Sequence, residues 1–256
     1  MLSDFIAYRL KAKDEHALHS PFLFDFYTAV IKNRELLFET ADIENCFKDL
    51  LKDERLLQIN DLGAGSKFGN KPQKAVSKIA RGSLKNKKWS DILAAIVAKY
   101  KYSTNLELGT SLGLTAVKMA RANPFGKVYT FEGCGETLKV AKENFRKLGA
   151  HNVTPMLCDL DTGLQNVLNQ IEKLDLVFFD ANHRYTPTMR YFGQCLAKAH
   201  EGSCFVFDDI HWSKEMTQAW DEIKAHPQVR VTLDFFQMGV VFFKKELSKQ
   251  DFVLRA

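Results

Sequence analysis

The stretch that decides the fold runs from Asn105 to Gly133 and reads NLELGTSLGLTAVKMARANPFGKVYTFEG. A short apolar strand leads into a turn that holds Gly109 and Gly113, and helical spacing follows over residues 114–122. A second apolar strand ends on Glu132, 23 residues after Gly109. This order of strand, glycine turn, helix, strand and acid is the plan of a nucleotide-binding βαβ unit, in which the acid accepts hydrogen bonds from ribose hydroxyls.

The spacing of the glycines indicates the kind of ligand. Dinucleotide-binding turns read G-x-G-x-x-G and seat a pyrophosphate on the helix N-terminus, whereas three residues separate Gly109 from Gly113 here. Glu107 precedes the turn, and its carboxylate would repel a pyrophosphate. We therefore expect a cationic ligand without phosphate. The alternative is an ordinary tight turn of some other α/β protein.

The two motifs, Glu-Leu-Gly-Thr-Ser-x-Gly and Phe-Glu-Gly, resemble the first two motifs of class I S-adenosylmethionine-dependent methyltransferases. The ligand of that class carries an amine, a sulfonium and a ribose, and no phosphate. The resemblance implies that S-adenosylmethionine is the cofactor and that these motifs, with acids after the third and fourth strands, contact it. The predicted contacts are Glu107, Gly109, Thr110, Ser111, Gly113, Glu132, Gly133, Asp159 and Asp180. For Asp159 the alternative is a loop acid that caps the following helix.

Length and composition fit one α/β domain with an extension: the chain has 256 residues, of which 46% are hydrophobic. No apolar run approaches the ~20 residues of a membrane span, so no membrane partner is expected, and the first residues do not make a signal peptide. The five cysteines are odd in number and show no C-x-x-C pairing. Reduced cysteines in a cytoplasmic protein are the simplest interpretation.

The net charge of +5 is concentrated near the N-terminus. Residues 1–103 hold 18 Lys/Arg and 13 Asp/Glu, whereas residues 104–256 hold 18 of each. No acid occurs between Asp61 and Asp91, and such a basic segment could face an anionic acceptor or nucleic acid, or form a solvated surface. Few aromatics interleave with it, which disfavours nucleic acid. Its basic residues are Lys67, Lys71, Lys74, Lys78, Arg81, Lys85, Lys87 and Lys88.

From Thr104 onward, strands and helices alternate. Strands are predicted at 104–108, 127–131, 153–157, 175–179, 203–207, 229–235 and 239–243, and helices at 114–122, 136–148, 162–171, 186–199 and 213–224. Five βα units closed by a hairpin predict an α/β, Rossmann-like, doubly wound fold with a mostly parallel seven-stranded sheet and an antiparallel C-terminal edge strand. Residues 88–256 would form this domain.

Residues 1–87 are predicted to be a mainly helical N-terminal extension or lid, with helices near 3–13, 22–31, 42–53 and 73–81; a further helix spans 90–100. Ser20 and Ser90 are predicted N-caps. The aromatic residues around Phe22–Tyr27 must be covered by the main domain or by a second subunit, which would make a homodimer. Asp61–Ser66 looks like a second glycine motif, but no helix follows it, so we predict a polar loop near the active-site mouth.

Acids stand at the ends of two further apolar strands. Asp180 follows the fourth strand, and Asp208 and Asp209 follow the fifth. If these strands are adjacent, their ends lie ~5 Å apart. Three carboxylates that close would repel one another, and a hard divalent cation such as Mg²⁺ relieves this repulsion. The alternative is that one acid caps a helix, another faces solvent, and no metal binds.

Residues 88–245 resemble the metal-dependent O-methyltransferases of the catechol and caffeoyl-coenzyme A type. The resemblance is carried by Tyr100, the first glycine motif, Phe-Phe-Asp-Ala-Asn-His-Arg-Tyr over 178–185 and Phe-Asp-Asp-Ile-His-Trp over 207–212. It implies that Asp180, Asp208 and Asp209 hold the metal, although the family has Asp-Asn where this chain has Asp-Asp. It also implies that His183, at the position of the catechol enzymes' lysine base, acts as the catalytic base beside Asp180.

The sequence therefore predicts S-adenosylmethionine-dependent O-methylation of a small hydroxylated acceptor. The basic segment would favour an acceptor that is an anion. An RNA or other nucleic-acid methyltransferase is the alternative. Against it, no Asp/Asn-Pro-Pro-Tyr motif follows the fourth strand and no Pro-Cys nucleophile occurs. A third hypothesis is a non-catalytic protein that binds S-adenosylmethionine without turning it over.

Overall fold

The computed structural model describes residues 2–34, 36, 38–59, 73–83 and 87–256. The predicted loop at Asp61–Ser66 and three of the basic residues, Lys67, Lys71 and Lys85, lie outside these ranges. Contacts divide the chain into two compact units. The first unit comprises Met1–Asn33 and Gln165–Ala256, and the second comprises Arg34–Leu164. The extension predicted at 1–87 is therefore shared between them, with its first 33 residues in the first unit.

The helices follow the predicted order with small shifts at their ends. They are α1 (Leu2–Lys11), α2 (Pro21–Phe26), α3 (Ala41–Leu50), α4 (Val76–Ser83), α5 (Lys87–Tyr100), α6 (Leu114–Ala122), α7 (Gly135–Lys147), α8 (Leu160–Leu168), α9 (Tyr185–Leu196) and α10 (Lys214–Ala225). A 3-10 turn at Glu15–Ala17 precedes α2, and a π-helical segment at Tyr27–Asn33 continues it.

The strands likewise match the predicted ones, and three more are present. They are β1 (Leu56–Gln58), β2 (Gln73–Ala75), β3 (Thr104–Leu108), β4 (Lys127–Glu132), β5 (Val153–Leu157), β6 (Leu174–Phe179), β7 (Ala199–Asp208), β8 (Val231–Asp234), β9 (Met238–Phe242) and β10 (Gln250–Val253). The strands β1, β2 and β10 were not predicted, because each is only three or four residues long and carries no clear alternation of apolar and polar residues.

In the second unit, β3, β4 and β5 pair in parallel in that order. The register places Glu107 opposite Thr130 and Leu108 opposite Phe131. Separately, β1 and β2 pair antiparallel. The strand β3 is almost completely buried, as expected of a parallel strand covered on both faces.

In the first unit, the strands follow the order β10-β8-β9-β7-β6. Parallel pairing joins β6 to β7, and β9 runs antiparallel to both β7 and β8. Parallel pairing also joins β10 to β8. The predicted α/β, Rossmann-like class is therefore confirmed, with one correction. The antiparallel strand β9 is not at the edge, because it pairs with both β7 and β8. In addition, β10 extends the sheet beyond β8, as a strand that was not predicted.

The N-terminal helices pack within the first unit. The Tyr8 hydroxyl donates to the carbonyl of Leu254, and the Tyr27 hydroxyl donates to the carbonyl of Arg255, each at 2.6 Å. The rings of Phe22 and Phe26 contact Phe242 of β9 edge to face. These aromatics are thus covered by the chain's own domain, while Phe24 stays 46% exposed.

Two predicted caps behave differently from expectation. Ser20 is the N-cap of α2, with Pro21 in its first turn, but its side chain makes no capping hydrogen bond. The prediction for Ser90 is wrong because α5 already begins at Lys87. The Ser90 hydroxyl instead donates to the carbonyl of Lys87 and accepts from the buried ammonium of Lys118. Burial lowers the pKa of Lys118, and Asp91 at 2.5 Å opposes that shift.

All five cysteines lie among the described residues and are free thiols. Burial raises the pKa of Cys195 and Cys204, so both behave as core side chains. Across the described ranges, no helix combines the length and the apolar character that crossing a bilayer would require.

Candidate functional site

The glycine turn between β3 and α6 takes a backbone shape that only some residues tolerate. Gly109 and Gly113 have φ values of 107° and 83°, and Ser111 has φ 48°. The N–H groups of Gly109 and Thr110 both donate to the carbonyl of Phe131 at the end of β4. A Cβ atom at Gly113 would lie 2.5 Å from Cε1 of Phe145. This glycine is therefore required both by its φ and by its contact with α7.

Glu107 is a buried carboxylate at the end of β3, only 1% exposed. Its Oε2 accepts a 2.5 Å hydrogen bond from the hydroxyl of Thr130 on β4. The Thr130 hydroxyl oxygen lies 2.6 Å from that of Thr110 in the turn. Thr130 was absent from the predicted site. The sequence does contain a signal for it, because Thr130 and Glu132 are two residues apart and so share a face of the strand.

Glu132 fastens the turn to the end of β4. One carboxylate oxygen accepts from the N–H of Ser111 and the other from the N–H of Cys134, both at 2.9 Å. A carboxylate can accept about four hydrogen bonds, so these two are compatible with further bonds to ribose hydroxyls. Gly133 lies between β4 and α7. The predicted cofactor residues of the glycine turn and of Glu132 and Gly133 are thus brought together in one place.

Asp159 stands at the start of α8. Its carboxylate accepts from the N–H of Asp161 at 2.9 Å, and its carbonyl accepts from the N–H groups of Thr162 and Gly163. This is the capping arrangement that the sequence left open as an alternative. A contact of Asp159 with the cofactor stays a prediction.

In the first unit, a group of acids and one histidine forms at the ends of β6 and β7. One ligand atom from each of Asp180, His183 and Asp208 lies within 4.8 Å of the other two. His183 Nε2 is 3.7 Å from Asp180 Oδ1. The group arises because β6 and β7 are parallel neighbours and because the loop after β6 turns back within three residues. We call Asp180, His183 and Asp208 the acid–histidine group.

Asp209 does not join this group in the structure. It has φ 51°, and its N–H donates to the carbonyl of Gln237 at 2.7 Å. The loop after β7 therefore turns towards the hairpin between β8 and β9. The metal role predicted for Asp209 stays a prediction, whereas His183, predicted only as a base, proves to be close enough to serve as a ligand.

An aromatic surface adjoins the end of β7 within the first unit. His211 Nε2 lies 2.7 Å from Asp234 Oδ2, and the His211 ring stacks on Phe236. Phe236 also contacts Phe5 and Tyr8 of α1. The N-terminal helix is therefore anchored on the β8–β9 hairpin.

The donor atoms of the acid–histidine group suit a divalent cation. Two carboxylate oxygens are typical ligands of Mg²⁺ and Mn²⁺, and an imidazole nitrogen favours Mn²⁺, Zn²⁺ and other transition ions. The residues present thus fit a divalent ion, which would be held by Asp180 and Asp208, with His183 either as third ligand or as base.

Comparison with known proteins agrees with this geometry. Residues 106–210 match the model of a family described as a methyltransferase domain. This range contains the glycine turn, Glu132 and the whole acid–histidine group. No curated protein sequence gives a significant match to the chain.

Solved structures show the same fold. An O-methyltransferase from Bacillus cereus in complex with S-adenosylhomocysteine is 16% identical, with a TM-score of 0.61, over 85% of this chain and 96% of that one. The S-adenosylhomocysteine-bound methyltransferase PaMTH1 of Podospora anserina is 12% identical, with a TM-score of 0.63, over 89% and 97%. The O-methyltransferase TomG of Streptomyces achromogenes, in complex with S-adenosylmethionine, is 17% identical, with a TM-score of 0.55, over 63% and 82%.

Residues 106–210 thus match a methyltransferase-domain family, and the fold of the chain is the α/β, Rossmann-like fold of these solved methyltransferases. The resemblance inferred from the two motifs is confirmed.

Proposed function

We propose that this protein is an S-adenosylmethionine-dependent O-methyltransferase that acts on a small hydroxylated acceptor with the help of a divalent cation. The observation that carries the proposal is the acid–histidine group, Asp180, His183 and Asp208, in a chain with a methyltransferase domain. Oxygen and imidazole donors converge there within 4.8 Å. Such a set suits the activation of a hydroxyl group, which needs a positive charge and a proton acceptor.

The methyl donor would be held by the second unit. Glu107 provides a negative charge for the ammonium of the amino-acid half, and Glu132 provides acceptors for the ribose. S-adenosylmethionine supplies an electrophilic methyl group, so the protein mainly has to align the acceptor oxygen with it. The absence of a phosphate in this ligand agrees with the buried carboxylate of Glu107, which is only 1% exposed.

The acceptor would be activated by the acid–histidine group. A divalent cation bound by Asp180 and Asp208 would favour the deprotonated form of the acceptor hydroxyl. His183 would take the proton, because imidazole is the most common general base near neutral pH. Asp180, with its oxygen 3.7 Å from His183 Nε2, would orient the ring and stabilise its protonated form.

Basic residues would favour an anionic acceptor, but those described are partly engaged within the protein. Lys87 pairs with Glu44, and Arg81 donates to the carbonyl of Leu51. Nothing in the described part of this segment favours nucleic acid over a small molecule, so the small-molecule acceptor is the proposal.

The test is a methyl-transfer screen with labelled S-adenosylmethionine against phenolic, sugar and RNA acceptors. We expect turnover on a small hydroxylated acceptor, lost in chelator and restored by Mg²⁺ or Mn²⁺. Turnover only on RNA would replace the proposal by the nucleic-acid alternative. Binding of S-adenosylmethionine with no turnover on any acceptor would indicate the non-catalytic binder.

The role of His183 can be separated from that of the two acids. If His183 is the base, His183→Ala keeps the affinity for Mn²⁺ within about two-fold but lowers kcat by about 10²-fold or more. If His183 is instead a third ligand, the variant loses Mn²⁺ affinity by roughly ten-fold or more. His200→Ala is the matched control, because His200 pairs with Asp175 at 2.8 Å elsewhere in the same unit.

A further inference from the structure

Thr130 is a fully buried polar residue in β4, with 0% of its surface exposed. In the parallel register it stands opposite Glu107 of β3. Its hydroxyl donates to Glu107 Oε2 at 2.5 Å. Because both residues lie in paired strands, the contact is fixed by the sheet and not by a flexible loop.

The direction of the hydrogen bonds around Thr130 follows from counting hydrogens. An ionised carboxylate can only accept, and a threonine hydroxyl carries one hydrogen. The Thr130 hydrogen points to Glu107, so the 2.6 Å contact with Thr110 requires the Thr110 hydroxyl to donate. The chain therefore runs from Thr110 through Thr130 to Glu107. It ties the conformation of the glycine turn to the orientation of the buried carboxylate.

We infer that Thr130 is a positioning residue of the methyl-donor site, which holds Glu107 in the orientation that recognises the ammonium of the donor's amino-acid half. This inference rests on the proposed function. A buried carboxylate needs hydrogen-bond donors to remain ionised, and charge-assisted hydrogen bonds are about twice as strong as neutral ones. The effect of Thr130 is expected mainly on the amino-acid half of the ligand, because its hydroxyl donates to Glu107 and Glu132 serves the other half.

Two ligands allow recognition of the amino-acid half of the donor to be measured separately from recognition of its adenosine half. S-adenosylhomocysteine carries the ammonium, whereas 5′-methylthioadenosine keeps the adenosine and the sulfur but has no amino acid. Thr130→Val removes the hydroxyl at nearly constant shape. We expect it to weaken S-adenosylhomocysteine binding about ten-fold and to change 5′-methylthioadenosine binding by less than about two-fold. Thr130→Ser, which keeps the hydroxyl, should bind both ligands within about two-fold of the wild type.

A double-mutant cycle tests whether Thr130 acts through Glu107. Glu107→Gln removes the charge and should also weaken S-adenosylhomocysteine selectively. In that background, Thr130→Val should cost less than about two-fold in further affinity, because residues of one hydrogen-bonded network are not additive. Calorimetry of both ligands on all four proteins gives the result. Equal losses for the two ligands, no loss for either, or fully additive losses would overturn the inference.

Thr110→Val provides the same test if Thr130→Val does not fold, because it breaks the chain at its other end, in the turn. We expect a smaller loss, about three-fold, for S-adenosylhomocysteine and again almost none for 5′-methylthioadenosine. An equal effect on both ligands, or no effect, overturns the inference. A wild-type protein that binds neither ligand would instead overturn the proposed function, and the inference with it.

Discussion

The glycine turn and the acid–histidine group are built in different ways. In the turn, the site is made largely by backbone: Glu132 accepts from two backbone N–H groups, and Gly109 and Thr110 donate to one carbonyl. In the acid–histidine group, the site is made by side chains on three separate positions, two of them at the ends of neighbouring strands. The turn is therefore sensitive to changes in shape, and the acid–histidine group to changes in charge.

The two regions differ also in what they require of a ligand. The turn does not need a ligand to satisfy its acids, because they already accept hydrogen bonds from groups of the protein. The acid–histidine group places two carboxylates and an imidazole close together, and such a set is stabilised when a cation is bound.

The largest effect is expected from removing charge at the acid–histidine group. Asp180→Asn and Asp208→Asn should each lower kcat/KM by about 10³-fold, roughly 4 kcal/mol, because a bound cation contributes several kcal/mol to activation of the acceptor. Chelator should have a similar effect on the wild type. Asp221→Asn is the control, since Asp221 is an exposed acid of α10 that pairs with Lys224. Full turnover in chelator would point to a metal-free mechanism with His183 as sole base.

The next largest effect is on stability, at the turn. Gly113→Ala should lower the free energy of unfolding by about 3 kcal/mol, because φ of 83° disfavours a side chain and the new Cβ would lie 2.5 Å from the Phe145 ring. Gly193→Ala in α9 is the matched control. Apart from the adjacent residues and the backbone of α9 itself, no atom lies within 4 Å of a Cβ there, so alanine should stabilise that helix by about 0.5–1 kcal/mol. Urea unfolding measures the stability of both variants. Equal free energies of unfolding for Gly113→Ala and Gly193→Ala would contradict the expected sensitivity of the turn to changes in shape.

These two regions also show what a sequence can and cannot predict. The turn was predictable in detail because it is local: its glycines, its acid and their spacing lie within 29 residues. The acid–histidine group was predicted only in part. The order of the strands determines whether Asp180 and Asp208 lie close together. The conformations of the loops after β6 and β7 determine that His183 lies near these two acids and that Asp209 turns away from them. Such choices depend on the whole packed fold.

The same reasoning applies to elements outside the sites. Long amphipathic helices such as α7 and buried strands such as β3 were predicted within a residue or two. The short edge strand β10 was not, because it is defined by its parallel pairing with β8 and not by its own four residues. Ser90 was misread as a cap because its real partner, Lys118, lies 28 residues away in the chain.

A moderate effect is expected at Glu132. Glu132→Ala should weaken binding of S-adenosylmethionine by roughly 1–3 kcal/mol, because it leaves polar groups of the turn and of the ligand unpaired. The control is Glu136→Ala, which removes an exposed acid of α7 that pairs with Lys139 and should leave the affinity unchanged. Calorimetry measures the affinity of the wild type and of each variant for S-adenosylmethionine. Tight NAD binding, with no binding of S-adenosylmethionine by the wild type, would be evidence against the assigned ligand.

The smallest effect concerns α1, which belongs to the same unit as the acid–histidine group. Burial, followed by the charge of Asp234, raises the pKa of Tyr8 to about 12 from its ordinary 10.0. The folded protein thus holds this proton more tightly than the unfolded chain does. The Tyr8 contribution is fully present below pH 10, and the free energy of unfolding should fall as the pH rises from about 10 to about 12.

Because Tyr8 is only partly buried, the size of this fall is discounted to roughly 1 kcal/mol. Tyr8→Phe should remove that part of the pH dependence and, by losing the bond to Leu254, lower stability near neutral pH by about 1 kcal/mol. Tyr129→Phe in β4 is the control, since no hydrogen bond of its hydroxyl is seen among the described residues. Denaturation at pH 7 and at several values up to pH 12 measures both variants. If Tyr8→Phe keeps the wild-type pH profile, α1 is not anchored through this hydroxyl, and the contacts of Phe5 with Phe236 must hold the helix instead.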